Sequence, residues 1–404
     1  MKVLVISPIE IFMEPRLRKA ATYFSSCGFE VNILTCLRMP SRLNEYEELK
    51  KNNPNWKWYE VDLRKTSLKT RIRWALSRSI YKIYFQLFKH TNIDLSGKNG
   101  LLNDAFYTKR LLNQEFDLVY TNLIDMLPLA SYYSSKNGSR LIYDSQEFFT
   151  GQYSAIDKAK LKWVSKIELK YIDKCSIVIA TTNAMKDALI EKYPNIKNPV
   201  RCRNMPLLNE IPIDYNLEMS NPLKIIWHGK SINIYSERGV HLIIQAILEI
   251  KYRTDLYLQG SINNNEKEKL IKLINESNSK NKIYLLPPAN ADQIIHSIKD
   301  YDIGFIGEIP TELNQLLTSS NKLFDYIAAG LAILSPTIPG ILETTNEFQN
   351  SKNYKEGSII DLKNSLSELL NNTSLVLDLK FKSKQASKEC FWENDFKKVI
   401  ELLS

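Results

Sequence analysis

Cysteine is scarce in this chain, and what there is carries no pattern. Cys27, Cys36, Cys175, Cys202 and Cys390 are scattered over 404 residues without CxxC spacing, which excludes a disulfide framework and a cysteine zinc site and points to a reducing cytoplasm. Histidine is scarcer, at four positions (His90, His228, His241 and His296), so no histidine-rich metal cluster is expected. No apolar run approaches the roughly 18 to 20 residues that a membrane span needs. The opening MKVLVISPIEIFMEPRLRK has one lysine before a short apolar stretch, then Glu10 and Glu14 and no small-residue cleavage site, and reads as a first β-strand rather than a signal peptide. No GxGxxG follows that strand, and no Walker A loop, GxSxG or HExxH occurs. Dinucleotide, nucleotide-hydrolase, serine-hydrolase and zinc-protease chemistry therefore lose their main support.

Acidic charge is what the N-terminal half lacks. Residues 1–205 hold 33 Lys and Arg against 20 Asp and Glu, a balance of +13, whereas the remainder carries −4. Between Arg64 and Asn92 the bases Arg64, Lys65, Lys69, Arg71, Arg73, Arg78, Lys82 and Lys89 occur without one acid, interleaved with Trp74, Tyr81, Tyr84, Phe85 and Phe88. A basic, aromatic, helix-compatible segment suits an anionic membrane surface, where each base contributes on the order of 1 kcal/mol; a solvated basic helix or a protein-binding face accounts for the same residues. No nucleic-acid motif accompanies the charge, and no nucleic-acid partner is expected.

The length suggests two or more cores. KVLVIS (2–7), an amphipathic stretch from Arg16 to Cys27 closed by Gly28, and EVNILT (30–35) form a β-loop-α-β unit, which implies a parallel sheet with a right-handed crossover. DLVYTN, RLIYDS and SIVIATT continue it. A Pro-containing connector without periodicity follows over 199–212. The alternation then restarts with LKIIWHGK (223–230), LYLQG, KIYLLP, DIGFIG and LAILSP. The expected fold is α/β, with two Rossmann-like doubly wound parallel-sheet domains facing across a cleft: an N-terminal domain at 1–205, a C-terminal domain at 206–385, and a terminal helix within 386–404 crossing back to the first.

The strongest local signal is TSSNKLFDYIAAGLAILSP (318–336). Ser319, Ser320 and Asn321 are good N-cap residues, Leu323, Phe324 and Ile327 form an apolar face, and Gly330 is a C-terminal stop. A helix beginning near Asn321 at the carboxyl end of a parallel strand directs free N–H groups and a positive dipole end at an anion, with Lys322 adding charge and Asp325 on the same face available to ribose hydroxyls. A capped helix with a Lys322–Asp325 ion pair accounts for the same residues. Asp300 and Asp302 spell D-x-D but bracket the junction of a helix and a buried strand, so no metal site is expected there.

NKLFDYIAAGLAIL resembles the NKLFEYMAAG segment of GT-B glycosyltransferases related to family 4, the group 1 glycosyl transferases. EPRLRKAATYFSSCGFEVNIL, RLIYDSQEFF, RCRNMP, SERGVHLIIQAI and KDYDIGFI resemble further segments of that family in the same order along most of the chain. The resemblance implies the GT-B fold and transfer of a sugar, of hexosyl type, from a nucleotide-sugar donor (a UDP-sugar before a GDP-sugar) to a glycan or lipid-linked glycan. It further implies retention, no metal or other cofactor, and a place in bacterial surface-polysaccharide assembly such as capsule or lipopolysaccharide, with the protein peripheral on the inner face of the cell membrane. Donor binding would fall to Gly229, Lys230, Arg238, Ser320, Asn321, Lys322 and Asp325, with Lys230 and Arg238 against the diphosphate and Asp325 on the ribose. Arg16, and Gln146 where the family has histidine, are candidates for acceptor or phosphate contact. Glu147 and Asp125 are the carboxylates placed for acid or base work. Leu317 stands where the family has the first glutamate of its Glu-x7-Glu pattern. A nucleotide-sugar epimerase of the same fold and a non-catalytic scaffold in a polysaccharide assembly remain alternatives.

Overall fold

The structure, a computed structural model, describes residues 1–76, 79, 83, 114–152, 158–215, 217–290 and 292–403. The chain forms two compact units: residues 1–181, 185–202 and 396–404 make the first, and residues 182–184 and 203–395 the second.

The first unit is built on a seven-stranded sheet: β1 (Lys2–Ile6), β2 (Glu30–Leu37), β3 (Lys57–Asp62), β4 (Leu118–Thr121), β5 (Arg140–Ser145), β6 (Ile177–Ala180) and β7 (Pro199–Arg201), ordered β3-β2-β1-β4-β5-β6-β7 with every pairing parallel. Val3 to Ile6 are fully buried on both faces, as an apolar run in a doubly covered parallel sheet must be. The Pro15–Ser26 helix starts with proline at its first turn, where a missing N–H costs nothing, and ends at Gly28 with φ of 80°. Its Leu17, Ala20, Ala21 and Phe24 are buried against the sheet. Phe24 meets Tyr120 and Phe396 edge-on at 5.6 and 5.5 Å, so the last residues of the chain complete this core.

The second unit holds six parallel strands: β8 (Leu223–Ser231), β9 (Thr254–Ser261), β10 (Lys282–Leu286), β11 (Ile303–Phe305), β12 (Ala332–Pro336) and β13 (Ser351–Tyr354), ordered β10-β9-β8-β11-β12-β13. Side-chain alternation on β8 divides the core. Ile225 and Trp227 join Ile243 and Ile247 of the Val240–Glu249 helix and Leu362 and Leu366 of the Ile359–Asn371 helix. Ile226 joins Leu323, Phe324 and Ile327 of the Asn321–Ala328 helix. Helices on both faces are the consequence. Asp302 of the D-x-D is buried and structural: it pairs with Lys380 at 3.3 Å and accepts the amide of Lys224 at 2.8 Å.

In both sheets the strand order reverses once, between β1 and β4 in the first unit and between β8 and β11 in the second. The carboxyl edge at such a switch point is where open α/β sheets bind ligands. The connector expected to be irregular from Pro199 contributes the short strand β7 before its irregular part begins. Among the described residues no helix is long and apolar enough to cross a membrane.

Candidate functional site

At the switch point of the second sheet, the loops leaving β8 and β11 touch through two glycines. Gly239 has φ of 62°, and a Cβ there would lie 2.0 Å from the carbonyl oxygen of Gly307; a Cβ on Gly307 would lie 2.6 Å from that of Arg238. The amide of Ile309 donates to the carbonyl of Glu237 at 2.7 Å and fixes the junction. Without side chains at these positions, the loop bearing Arg238 reaches the loop bearing Glu308. Lys230, near the end of β8, and Arg238 are both exposed. Gly229 lies between Lys230 and the strand interior, and a Cβ there would lie 2.6 Å from the Trp227 ring.

Tyr326 secures the Asn321–Ala328 helix to this edge. Its hydroxyl donates to the carbonyls of Ile226 at 3.3 Å and Phe305 at 3.0 Å, bridging β8 and β11, and Gly304 leaves room for its ring. Ser320 precedes the helix, but its hydroxyl does not cap it: Oγ donates to Glu308 Oε1 at 2.7 Å. The first-turn N–H groups therefore keep no side-chain cap, which leaves them suited to an anion. Lys322 is buried and donates from Nζ to the same Glu308 oxygen at 2.8 Å, 5.5 Å from the centre of the Trp227 ring. Burial pushes the Glu308 carboxyl up, but the Lys322 charge and the two hydrogen bonds outweigh it and hold the group below the ordinary carboxylate value. The partner of Lys322 is thus Glu308, not Asp325, and its charge is matched. Asp325 is half-buried and lies 3.4 Å from His228 Nε2. Burial first, then the Lys322 charge, holds His228 down to about 3, so its imidazole is neutral. Asn321 accepts from the Asn204 side chain at 3.0 Å.

In the first unit, the Arg16 guanidinium is buried. It forms a two-pronged pair with Asp144 on β5 (2.7 and 2.8 Å) and donates to the Cys202 carbonyl at 2.7 Å, while the Tyr120 hydroxyl also donates to Asp144. Burial works against its charge and Asp144 overrides this, so Arg16 ties the first helix to the sheet. At the nearby switch point, buried Asn122, just past β4, donates to Glu14 at 3.3 Å and to Gln146, just past β5, at 3.5 Å. Burial raises the Glu14 carboxyl, with the Asn122 hydrogen bond opposing. Asp125 is raised too, by burial, against the opposing charges of Lys160 and Arg38. Glu147 is half-buried, its carbonyl accepting from Ser145 at 2.9 Å.

No family model and no curated sequence matches the chain. Solved structures do. HepE from Anabaena, in complex with UDP and glucose, is 14% identical with a TM-score of 0.66, over 100% of this chain and 99% of that one. Sucrose-phosphate synthase from Thermosynechococcus elongatus is 12% identical with a TM-score of 0.67, over 100% and 98%. A TarM variant from S. aureus, in complex with Fondaparinux, alpha-GlcNAc-glycerol and UDP, is 11% identical with a TM-score of 0.67, over 100% and 99%. The fold is GT-B.

On this GT-B scaffold, Gly229, Lys230, Arg238, Ser320, Asn321, Lys322 and Asp325 all lie at one edge of one sheet, the carboxyl edge of the second unit. Gln146, Glu147 and Asp125 follow β4 and β5 at the carboxyl edge of the first, whereas Arg16 is internal. Sequence reasoning passed over four residues that shape these edges: Glu308, His228, Glu14 and Asn122. Each had a usable signal. Glu308 follows Gly307 just past a predicted strand, His228 shares a strand face with Ile226, and Glu14 and Asn122 stand immediately beyond β-strand or loop boundaries already drawn. Of the basic segment 64–92, residues 64–76, 79 and 83 are described; Arg78, Tyr81, Lys82, Tyr84, Phe85, Phe88 and Lys89 lie outside the described residues.

Proposed function

We propose that the protein is a glycosyltransferase that moves a hexosyl group from a nucleoside-diphosphate sugar, UDP-linked before GDP-linked, to a hydroxyl of a glycan or lipid-linked glycan. The supporting observation is the convergence at the second sheet's switch point of an uncapped helix N-terminus, two exposed cations and a glycine-lined backbone. Breaking the bond from the anomeric carbon to the phosphate oxygen leaves its electron pair on the nucleoside diphosphate. Lys230, Arg238 and the N–H groups of the Asn321–Ala328 helix stabilise that charge from groups already in place. Lys322, neutralised by Glu308, contributes hydrogen-bond donors and rigidity rather than net charge. Asp325 accepts from ribose hydroxyls. The acceptor hydroxyl bonds to the anomeric carbon, and its proton leaves to an oxygen of the departing phosphate; Glu14, Asp125 and Glu147 are the first unit's own candidates for acid or base work, at the carboxyl edge of its sheet. HepE with UDP and glucose supports the UDP preference; retention, independence of metal and a role in surface-polysaccharide assembly rest on the family resemblance.

The proposed place of reaction is the inner face of the cell membrane. Residues 68–76 are helical and expose Leu68, Ile72 and Leu76, spaced by four, at 75%, 51% and 47%. Lys69 and Arg71 are exposed beside them, and the Lys65 ammonium lies 3.5 Å from the centre of the Trp74 ring. An apolar stripe bordered by cations fits an anionic lipid surface.

Calorimetric titration with UDP, GDP, ADP and CMP tests the donor site. One nucleoside diphosphate should bind the wild type, with at least about tenfold loss in Lys230→Ala or Arg238→Ala, as expected for charged hydrogen bonds. Absence of binding by every nucleotide refutes the reading. Sedimentation with phosphatidylcholine vesicles, with and without phosphatidylglycerol, tests the surface: the anionic vesicles should bring down the wild type and release Leu68→Ser/Ile72→Ser.

A further inference from the structure

Ser320 occupies the N-cap of the Asn321–Ala328 helix in the extended backbone of a capping residue, with φ of −67° and ψ of 134°, and serine is among the best capping side chains. It does not cap. Its hydroxyl donates to Glu308 Oε1 at 2.7 Å and accepts from Lys322 Nζ at 3.5 Å, and that ammonium donates to the same Glu308 oxygen at 2.8 Å. The Leu323 amide is bonded to the Ser320 carbonyl at 3.0 Å, so the amide that a cap at Ser320 would take is that of Lys322. Local backbone favours the cap, and a carboxylate 12 residues earlier in the chain prevents it. The loop that carries this carboxylate is pinned in turn, by the close approach of Gly307 to Arg238 and by the bond from the Ile309 amide to the Glu237 carbonyl at 2.7 Å. Three more polar atoms beside the same helix are buried without a partner: Ser319 Oγ, Oδ1 of the Asn204 amide that is bonded to Asn321, and Nε2 of His228, a residue 6% exposed. Unmatched buried groups gathered along one helix point to a polar ligand that completes them.

We propose that Glu308 is a positioning residue for the donor: by holding the Ser320 hydroxyl away from the helix, it keeps the Lys322 amide open for a phosphate oxygen of a nucleoside diphosphate. The assignment rests on the donor-site reading above. A phosphate that meets a helix already capped by its own serine has to displace that bond, and its affinity falls by what the cap is worth; with the serine held aside, the N–H is in place before the ligand arrives. The same carboxylate matches the Lys322 charge, so the arrangement opens the helix end without leaving a buried cation unpaired.

The test is a mutant cycle read as the dissociation constant of UDP, by titration calorimetry on the full chain. Glu308→Leu/Lys322→Met replaces the pair by apolar side chains, a change that buried pairs tolerate, and frees the Ser320 hydroxyl to cap. Adding Ser320→Ala to that double variant should tighten UDP by about fivefold or more, the worth of a typical N-cap bond, because the competing hydroxyl is gone. In the wild type, where the hydroxyl is already held aside, the same alanine should bring no tightening. In Glu308→Gln, whose amide oxygen still accepts the hydroxyl, it should bring none either. If the double variant does not fold, Glu308→Met/Lys322→Leu carries the same test. Tightening of less than about twofold in the apolar background overturns the proposal and marks a merely structural pair, as does equal tightening in the wild type. If neither UDP nor any other nucleoside diphosphate binds the wild type, the donor-site reading itself has failed and the proposal falls with it.

Discussion

Replacing Lys322 by methionine should reverse the sign of Glu308's contribution to the pH dependence of the second unit's stability. Wild-type Lys322 and Glu308 form a contact of 2.8 Å in which the lysine side chain is 6% exposed and the glutamate 22%. Removing one member of a buried pair costs about 3–5 kcal/mol, because the other charge stays buried without compensation. The residual exposure of Glu308 places the cost at about 3 kcal/mol, the lower end of that range. For a unit of about 200 residues this is a loss of roughly 6–12 °C in Tm. The slope is the sharper observable. In the wild type the folded Glu308 titrates below its unfolded value, so its contribution is present above about pH 4.5 and is lost only as pH falls through the lowered value. With the lysine gone, the dominant remaining influence is burial, which raises the folded value above the unfolded one. The variant's deficit against the wild type should then grow as pH rises from 4.5 towards 7. Scanning calorimetry from pH 4.5 to 8, with Glu308→Gln and Lys322→Met/Glu308→Leu beside the single variant, decides the matter. Equal pH slopes for Lys322→Met and the wild type, or a Tm within about 2 °C at pH 7, would falsify the account of this pair.

Buried Glu168, which accepts from the Tyr193 hydroxyl at 2.8 Å and is pushed up to about 7 by burial, stabilises the first unit below about pH 4.5 and loses that contribution as pH rises through 7. Glu168→Gln should flatten the profile and exceed the wild type at pH 8.5 by an amount on the order of 3 kcal/mol in urea unfolding; a parallel profile would contradict the assignment. Gly239→Ala cannot keep both φ of 62° and the approach to Gly307, so nucleotide affinity should drop at least about tenfold, with unchanged affinity counting against the glycine contact. Arg203→Met removes the guanidinium that pairs with buried Asp395 at 2.9 Å, the amide of residue 203 still donating at 3.1 Å, and should lower stability by about 3 kcal/mol by denaturant titration; a loss below about 1 kcal/mol would show the pair to be dispensable.

The strands legible in the sequence and those that were not differ in place rather than in length. KVLVIS, RLIYDS and LKIIWHGK mark interior strands, covered on both faces, and such burial leaves a dense apolar run. β3, β7 and β13 were not predicted, and all three are sheet edges, whereas the fourth edge strand, β10, is announced by the apolar run of KIYLLP. KWYEVD and SKNY keep few buried side chains, and PVR is three residues with a leading proline, so no composition announces them. The site divides along similar lines. Positions set by local rules, such as a helix beginning at Asn321, a stop at Gly330 and cations at and beyond the end of β8, can be read from spacing because caps and strand ends are local events. Charge partners cannot. From Lys322 the sequence offers Asp325 one turn away, yet the pair that forms is with Glu308, 14 residues back. The reason is the sheet: the helix is docked by Tyr326 onto the ends of β8 and β11, which directs Lys322 towards the β11 loop and Asp325 towards His228 on β8. Arg16 follows the same logic, since its partner Asp144 is supplied by a strand 128 residues away. A residue type and its neighbours in sequence therefore identify a charge that could bind a ligand, whereas the strand order decides whether that charge is left for the ligand or spent inside the fold.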